Sequence, residues 1–159
     1  MTQQEFEADL RETLESIRRS VGSATFSLYP ELDRADMEHQ ALYFHFTPGA
    51  ECANHWGVTH GGIICTLFDN VMGSTVKAYS GVLFTPTVNM QVSFLRPMAT
   101  EQPVYFRAQV LSCSRHVCNV TASAWQQDEN APCANAVSCY FLRRETGAGE
   151  GSGGNQNHA

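Results

Sequence analysis

The sequence predicts an α+β fold: a curled antiparallel sheet of five to six strands around one long central helix, with a further helix at the N-terminus. Three observations predict it. The segment around residues 61–79 is apolar on more than one face, as a helix buried nearly all round must be. After it, apolar residues recur at every second position in run after run, separated by short turns. Before it, residues 4–21 carry a single apolar stripe. A sheet that curls around the apolar helix buries that helix and one sheet face together.

Each element follows in order. Phe6, Leu10, Leu14, Ile17 and Val21 are spaced by three or four, with charge on the other face, which reads as an amphipathic packing helix that Thr2 caps. Residues 24–47 read as an extended stretch, a turn near Asp33–Asp36 and a strand over Ala41–Phe46, which Pro48-Gly49 ends. Ile63, Ile64, Leu67, Phe68, Val71, Met72 and Val76 mark the long helix from about Gly61 to Tyr79, and Ser80-Gly81 closes it. Val88, Met90, Val92 and Phe94 alternate in the next strand, and Arg96-Pro97 ends it. Val104, Phe106, Ala108 and Val110 form another strand; Cys118, Val120, Ala122 and Ala124 follow after a turn at Cys113–His116. Residues 135–143 form the last, with Val137, Cys139 and Phe141 on one face. The organisation is an N-terminal helix (1–21), one domain (22–145) and a Gly-rich polar tail (146–159) read as disordered. One helix cannot cover so long a sheet, so a second copy of the chain is expected.

Composition narrows the function. The 159 residues carry a formal net charge of −6, against the basic footprint of a nucleic-acid binder. No run approaches the roughly 20 apolar residues of a membrane span, and the acidic start is unlike a signal peptide. The six cysteines form no CxxC pair and read as reduced thiols, so the expected location is the cytoplasm. No His, Cys and Asp cluster has metal-ligand spacing, so no metal is expected. His39 and His116 read as surface loop residues.

The stretch NHWGVTHGGIICTLFD, residues 54–69, holds the chemistry. Asp69 is a carboxylate in an apolar helix, and a buried charge costs several kcal/mol unless it is paired or used. Its helical neighbours Gly62, Cys65, Thr66 and Gly73 are small and leave room beside it, whereas Ile63, Leu67 and Val71 fill the opposite face. His60-Gly61-Gly62 opens the helix, where orphan N–H groups and the helix dipole could polarise a carbonyl oxygen. Asp69 lies roughly 12 Å further along the axis at 1.5 Å per residue, too far for both to act on one small group within one chain. Either they come from different chains or they serve different parts of a ligand. The competing readings are plain turn glycines and a hydrogen-bonded structural aspartate.

Asn54, Gly57, His60, Gly61, Gly62, Leu67 and Asp69, followed by PTVNMQVSFLRP, resemble the signature of hotdog-fold acyl-CoA thioesterases, in particular the PaaI-like and THEM2-like group. The likeness covers about residues 22–143. It implies a curled sheet around the helix, chains paired so that their sheets join, and active sites at the dimer interface, with a homodimer or homotetramer as the assembly. It implies that Asp69 attacks the thioester carbonyl or activates water, and that the Gly61 N–H polarises the carbonyl oxygen. Asn54 would orient water or the carbonyl, His60 would shape the oxyanion loop, and Thr87 would position the water. Gly62 and Trp56 would line the substrate site, Trp56 being otherwise a core residue; Arg96, Arg143 and Arg144 are candidate cations for CoA phosphates, the competing reading for each being a solvated surface charge. Cys65 reads as a packing residue rather than a nucleophile. Acyl-CoA is then the substrate and no separate cofactor is needed. A Ser-His-Asp triad is not required, and no G-x-S-x-G elbow is present. The alternatives are a hotdog enoyl-CoA hydratase and a non-catalytic acyl-CoA-binding protein.

Overall fold

A computed structural model describes residues 1–20 and 27–143. Helix α1 spans Gln3–Ser20, and strands β1 (Glu31–Asp36) and β2 (Ala41–Phe46) follow. A short 3-10 turn at Ala50–Cys52 leads into the long helix α2, Gly61–Ser80. Strands β3 (Thr87–Phe94), β4 (Val104–Cys113), β5 (Val117–Trp125) and β6 (Ala134–Phe141) complete the chain. All neighbours are antiparallel in one six-stranded sheet of order β1-β2-β4-β5-β6-β3. The return of β3 to the far side of β6 makes β1 and β3 the two edges.

The inner sheet face is set by alternation. Leu42 and Phe44 of β2, Val104, Phe106, Ala108 and Val110 of β4, and Cys118, Val120, Ala122 and Ala124 of β5 are all buried. They receive Ile64, Leu67, Phe68, Val71, Met72 and Val76 of α2, with Phe68 edge-on to Phe106 at 5.7 Å. Helix α2 starts at His60, whose ring Nδ1 accepts the Gly62 N–H at 2.9 Å, and stops at Gly81 in the left-handed region, φ 67°. Helix α1 packs Leu10 and Leu14 into the same core and sets Phe6 against Tyr79.

Two expectations are corrected and a third is sharpened. The turn expected near Asp33–Asp36 lies at residues 37–40, and ELDRAD is strand β1, with a bulge between Leu32 and Arg34. Its charges suit an edge, where they discourage further pairing. In β6 Val137, Cys139 and Phe141 do share one face, and it is the outward one; the helix is met by Ala134, Ala136, Ser138 and Tyr140. Small residues occupy that face where α2 comes close. Helix α2 is not buried all round in one chain: Gly62 is exposed, and Cys65, Thr66, Asp69 and Gly73 are only half-buried. Val21, the start of the extended stretch at 24–26, Arg144 and the Gly-rich tail lie outside the described residues.

Candidate active site

The loop ahead of α2 is tied down by its own side chains. Asn54 Oδ1 accepts the N–H groups of Trp56 (2.9 Å) and Val58 (3.4 Å), and Gly57 supplies the positive φ of 78° that the turn requires. The bridges Ala53–Thr59 and Val58–Ala99 and the bond from His60 N–H to the Cys52 carbonyl (2.8 Å) fix the approach to the helix. Asn54 Oδ1 is therefore used within the loop, and its amide N–H groups have no partner among the described residues. At the helix start the Gly62 N–H goes to the His60 ring, while the Gly61 N–H has no intrachain acceptor among the described residues. A side chain at Gly61 would press on the Phe94 ring, 3.3 Å from the ideal Cβ position. Trp56 is 78% exposed and its ring lies 3.9 Å from that of His55, tilted by 39°, so it is not part of the core.

Asp69 sits on the half-buried side of α2. Its Oδ1 accepts from Thr87 Oγ1 at 2.8 Å and from the Tyr140 hydroxyl at 3.0 Å. Thr87, expected to position water, contacts the carboxylate itself. The sequence pattern does not reveal Tyr140, because the bulky apolar residues of its strand, Val137 and Phe141, stand at the alternate positions. The available signal was the run Ala134, Ala136, Ser138, Tyr140: small residues facing the helix, ending in a large one with a hydroxyl. Thr87 and Tyr140 are direct cross-strand partners, which aims both hydroxyls at one point. Burial, then the Asp69 charge, push the Tyr140 phenol well above its ordinary range, so it stays a donor. Burial lowers the Lys77 ammonium, two turns after Asp69, while the Asp69 charge pulls it back up.

Other candidates have local partners. Arg96 donates to the Pro132 carbonyl at 2.7 Å, and Arg143 lies over the Phe84 ring at 5.5 Å. Neither touches Asp69 in the chain. Burial pushes the Cys65 thiol up, which makes it a poor nucleophile, in line with packing. Among the described residues no group of three or more His, Cys, Asp or Glu is placed to hold a metal ion, and no helix is long and apolar enough to cross a membrane.

Comparisons with known proteins converge. Residues 57–133 match the model of the thioesterase superfamily, a span that contains His60, Gly61, Asp69 and Thr87. A Thermoplasma acidophilum protein provisionally named an esterase is 29% identical over 87 residues, covering 55% of this chain and 64% of its own length. The chain thus spans less than two thirds of that relative. The fold matches a phenylacetic acid degradation-related protein of Ralstonia eutropha JMP134 with a TM-score of 0.70, at 24% identity over 81% of this chain and 98% of that one. It also matches a Streptococcus pneumoniae protein, described as a hypothetical thioesterase and solved with coenzyme A, with a TM-score of 0.66, at 18% identity over 74% and 89% of the two chains.

Proposed function

From the fold and the match over residues 57–133, we propose that the chain is a hotdog-fold thioesterase that hydrolyses a small or medium acyl-CoA, aryl ones included, to the free acid and CoA. The observation that carries this reading is the Asp69 carboxylate, held by Thr87 of an edge strand on the one side of α2 that the chain leaves half-open. A thioester carbonyl is electrophilic enough for a carboxylate and an oxyanion site to suffice. Asp69 attacks the carbonyl or takes a proton from the attacking water. The Gly61 N–H stabilises the developing oxyanion at the positive end of α2. The His60 ring holds the first turn in shape, and the Asn54 amide donates to the carbonyl or the water.

The distance between Gly61 and Asp69 is resolved by pairing. Strand β3 begins at Thr87, beside Asp69, and ends at Phe94, beside Gly61. Two β3 edges paired antiparallel about a two-fold axis exchange these ends. Asp69 of one chain then lies near the Gly61 and Asn54 loop of the other, and each dimer has two sites. Exposed Val88, Phe94 and Leu95 line that edge, as an interface requires. In this reading Gly62 and Trp56 border the site, and Arg96, just past Phe94, and Arg143, beside Phe84, meet the CoA phosphates from two chains. The coenzyme A in the pneumococcal neighbour supports a CoA ester as the substrate.

The test is direct loss of thioester absorbance for a panel of aryl and aliphatic acyl-CoAs. Turnover by the unaltered protein that falls at least about a hundredfold in Asp69→Asn is the expected outcome. Equal turnover in both removes Asp69 from the chemistry. Binding of acyl-CoA without turnover in either leaves a binding protein instead.

A further inference from the structure

We infer that Tyr140 is a positioning residue that, with Thr87, pins one oxygen of Asp69 and thereby selects Oδ2 as the atom that reacts. The inference rests on the thioesterase reading above and deepens it. A carboxylate turns freely about its last torsion, because that torsion has a broad, two-fold profile. Nothing in the residue itself distinguishes its two oxygens. Here both donors converge on Oδ1, at 2.8 and 3.0 Å, and Oδ2 accepts no hydrogen bond among the described residues. Bonds to an ionised acceptor are about twice as strong as neutral ones, so two of them on one oxygen fix the rotation.

The surroundings make Tyr140 the firmer of the two donors. Thr87 lies at the exposed start of an edge strand, next to the register shift between Thr87 and Asn89. Tyr140 is 1% exposed in the interior strand β6, and its ring rests against Gly73, one turn after Asp69, with 3.7 Å to the ideal Cβ position there. Its hydroxyl also lies 3.3 Å from the Asp69 main-chain carbonyl, so the phenol is anchored to the helix at the residue it orients. Tyr29 offers an internal contrast. It too is a buried tyrosine bonded to α2, through Ser74 Oγ at 2.9 Å, but it does not touch Asp69.

The experiment compares Tyr140→Phe, Thr87→Val and the control Tyr29→Phe in the full chain. Two readouts are taken: steady-state hydrolysis of the best acyl-CoA, and the carbon-13 resonance of the Asp69 carboxyl in aspartate-labelled protein, identified by its loss in Asp69→Asn. The expected result is a fall in kcat of about tenfold in Tyr140→Phe, the scale of one hydrogen bond to a charged group, with KM little changed. The Asp69 resonance moves in Tyr140→Phe and Thr87→Val and stays in place in Tyr29→Phe. An unmoved resonance in Tyr140→Phe overturns the inference. So does a kcat in that variant equal to that of Tyr29→Phe. If the unaltered protein hydrolyses no thioester, the thioesterase reading fails separately, and the resonance alone decides whether Tyr140 holds the carboxylate.

Discussion

The β1 edge of the sheet lies under a helix, whereas the β3 edge lies open, and the two are built from different residues. At β1 the strand reads ELDRAD, and α1 reaches over it to occupy its main chain. The Arg11 guanidinium donates to the carbonyls of Leu32 and Asp33, Gln3 donates to the Ala35 carbonyl, and Glu7 accepts the Ala35 N–H at 2.8 Å. Charge and cover together close that edge to other strands. At β3 the strand reads TVNMQVSF, no helix among the described residues reaches over its edge as α1 does at β1, and Val88, Phe94 and Leu95 are 60%, 55% and 49% exposed. An open apolar edge beside the carboxylate is an invitation to a second chain. The protein thus covers one edge and leaves bare the one that runs beside Asp69.

The largest expected effect comes from giving β3 the charge that β1 already has. Val88→Asp with Leu95→Asp places acidic groups on the open edge. Both side chains are solvent-exposed within the chain, so the fold should lose little stability. Paired edges would instead bring like charges together and separate. Sedimentation equilibrium should show a single chain where the unaltered protein shows at least two, and acyl-CoA hydrolysis should fall by about a hundredfold or more, because the proposed site loses one of its two halves. A variant that stays associated and active would place the site within one chain and remove β3 from the assembly.

The same contrast explains what could be read from the residues alone. Strands β4 and β5 announce themselves because Val104, Phe106, Ala108 and Cys118, Val120, Ala122 alternate toward the core. Helix α2 announces itself by apolar residues on more than one face. Strand β1 does not, because its pairing is with an edge environment and its charges imitate a turn. Gly61 and Asp69 are legible through the motif around them. Tyr140 is not, because it reaches Asp69 only through the pairing of β6 with β3, a contact across 71 residues. The fate of Asn54 is likewise hidden: that Oδ1 serves its own loop depends on a turn geometry that composition does not specify.

A smaller effect is expected at the closed edge. Arg11→Ala removes two hydrogen bonds to main-chain carbonyls at the exposed rim of α1 and β1. Charged donors are worth more than neutral ones, but solvent competes here, so the loss should be about 1 kcal/mol in a urea titration. Association and kcat should not change. A change in either would show that the cover over β1 is coupled to the open edge.

The smallest effect belongs to the turn that returns β1 into β2. The Asp36 carboxylate is held below its ordinary range, first by the His39 N–H at 3.1 Å and then by the His39 ring and by nearby positive charge, with partial desolvation acting the other way. A carboxylate depressed in the folded state stabilises the fold fully above its unfolded pKa, about 3.9, and loses that contribution as pH falls through the lower folded value. Asp36→Asn keeps an acceptor for the His39 N–H but removes the charge. Thermal melts of the two proteins should therefore differ slightly near pH 6 and converge as the pH drops below about 4. A difference that grows on acidification would mean that the carboxylate is strained rather than held. The β1 end of the sheet would then owe its order to the helix above it and not to its own turn.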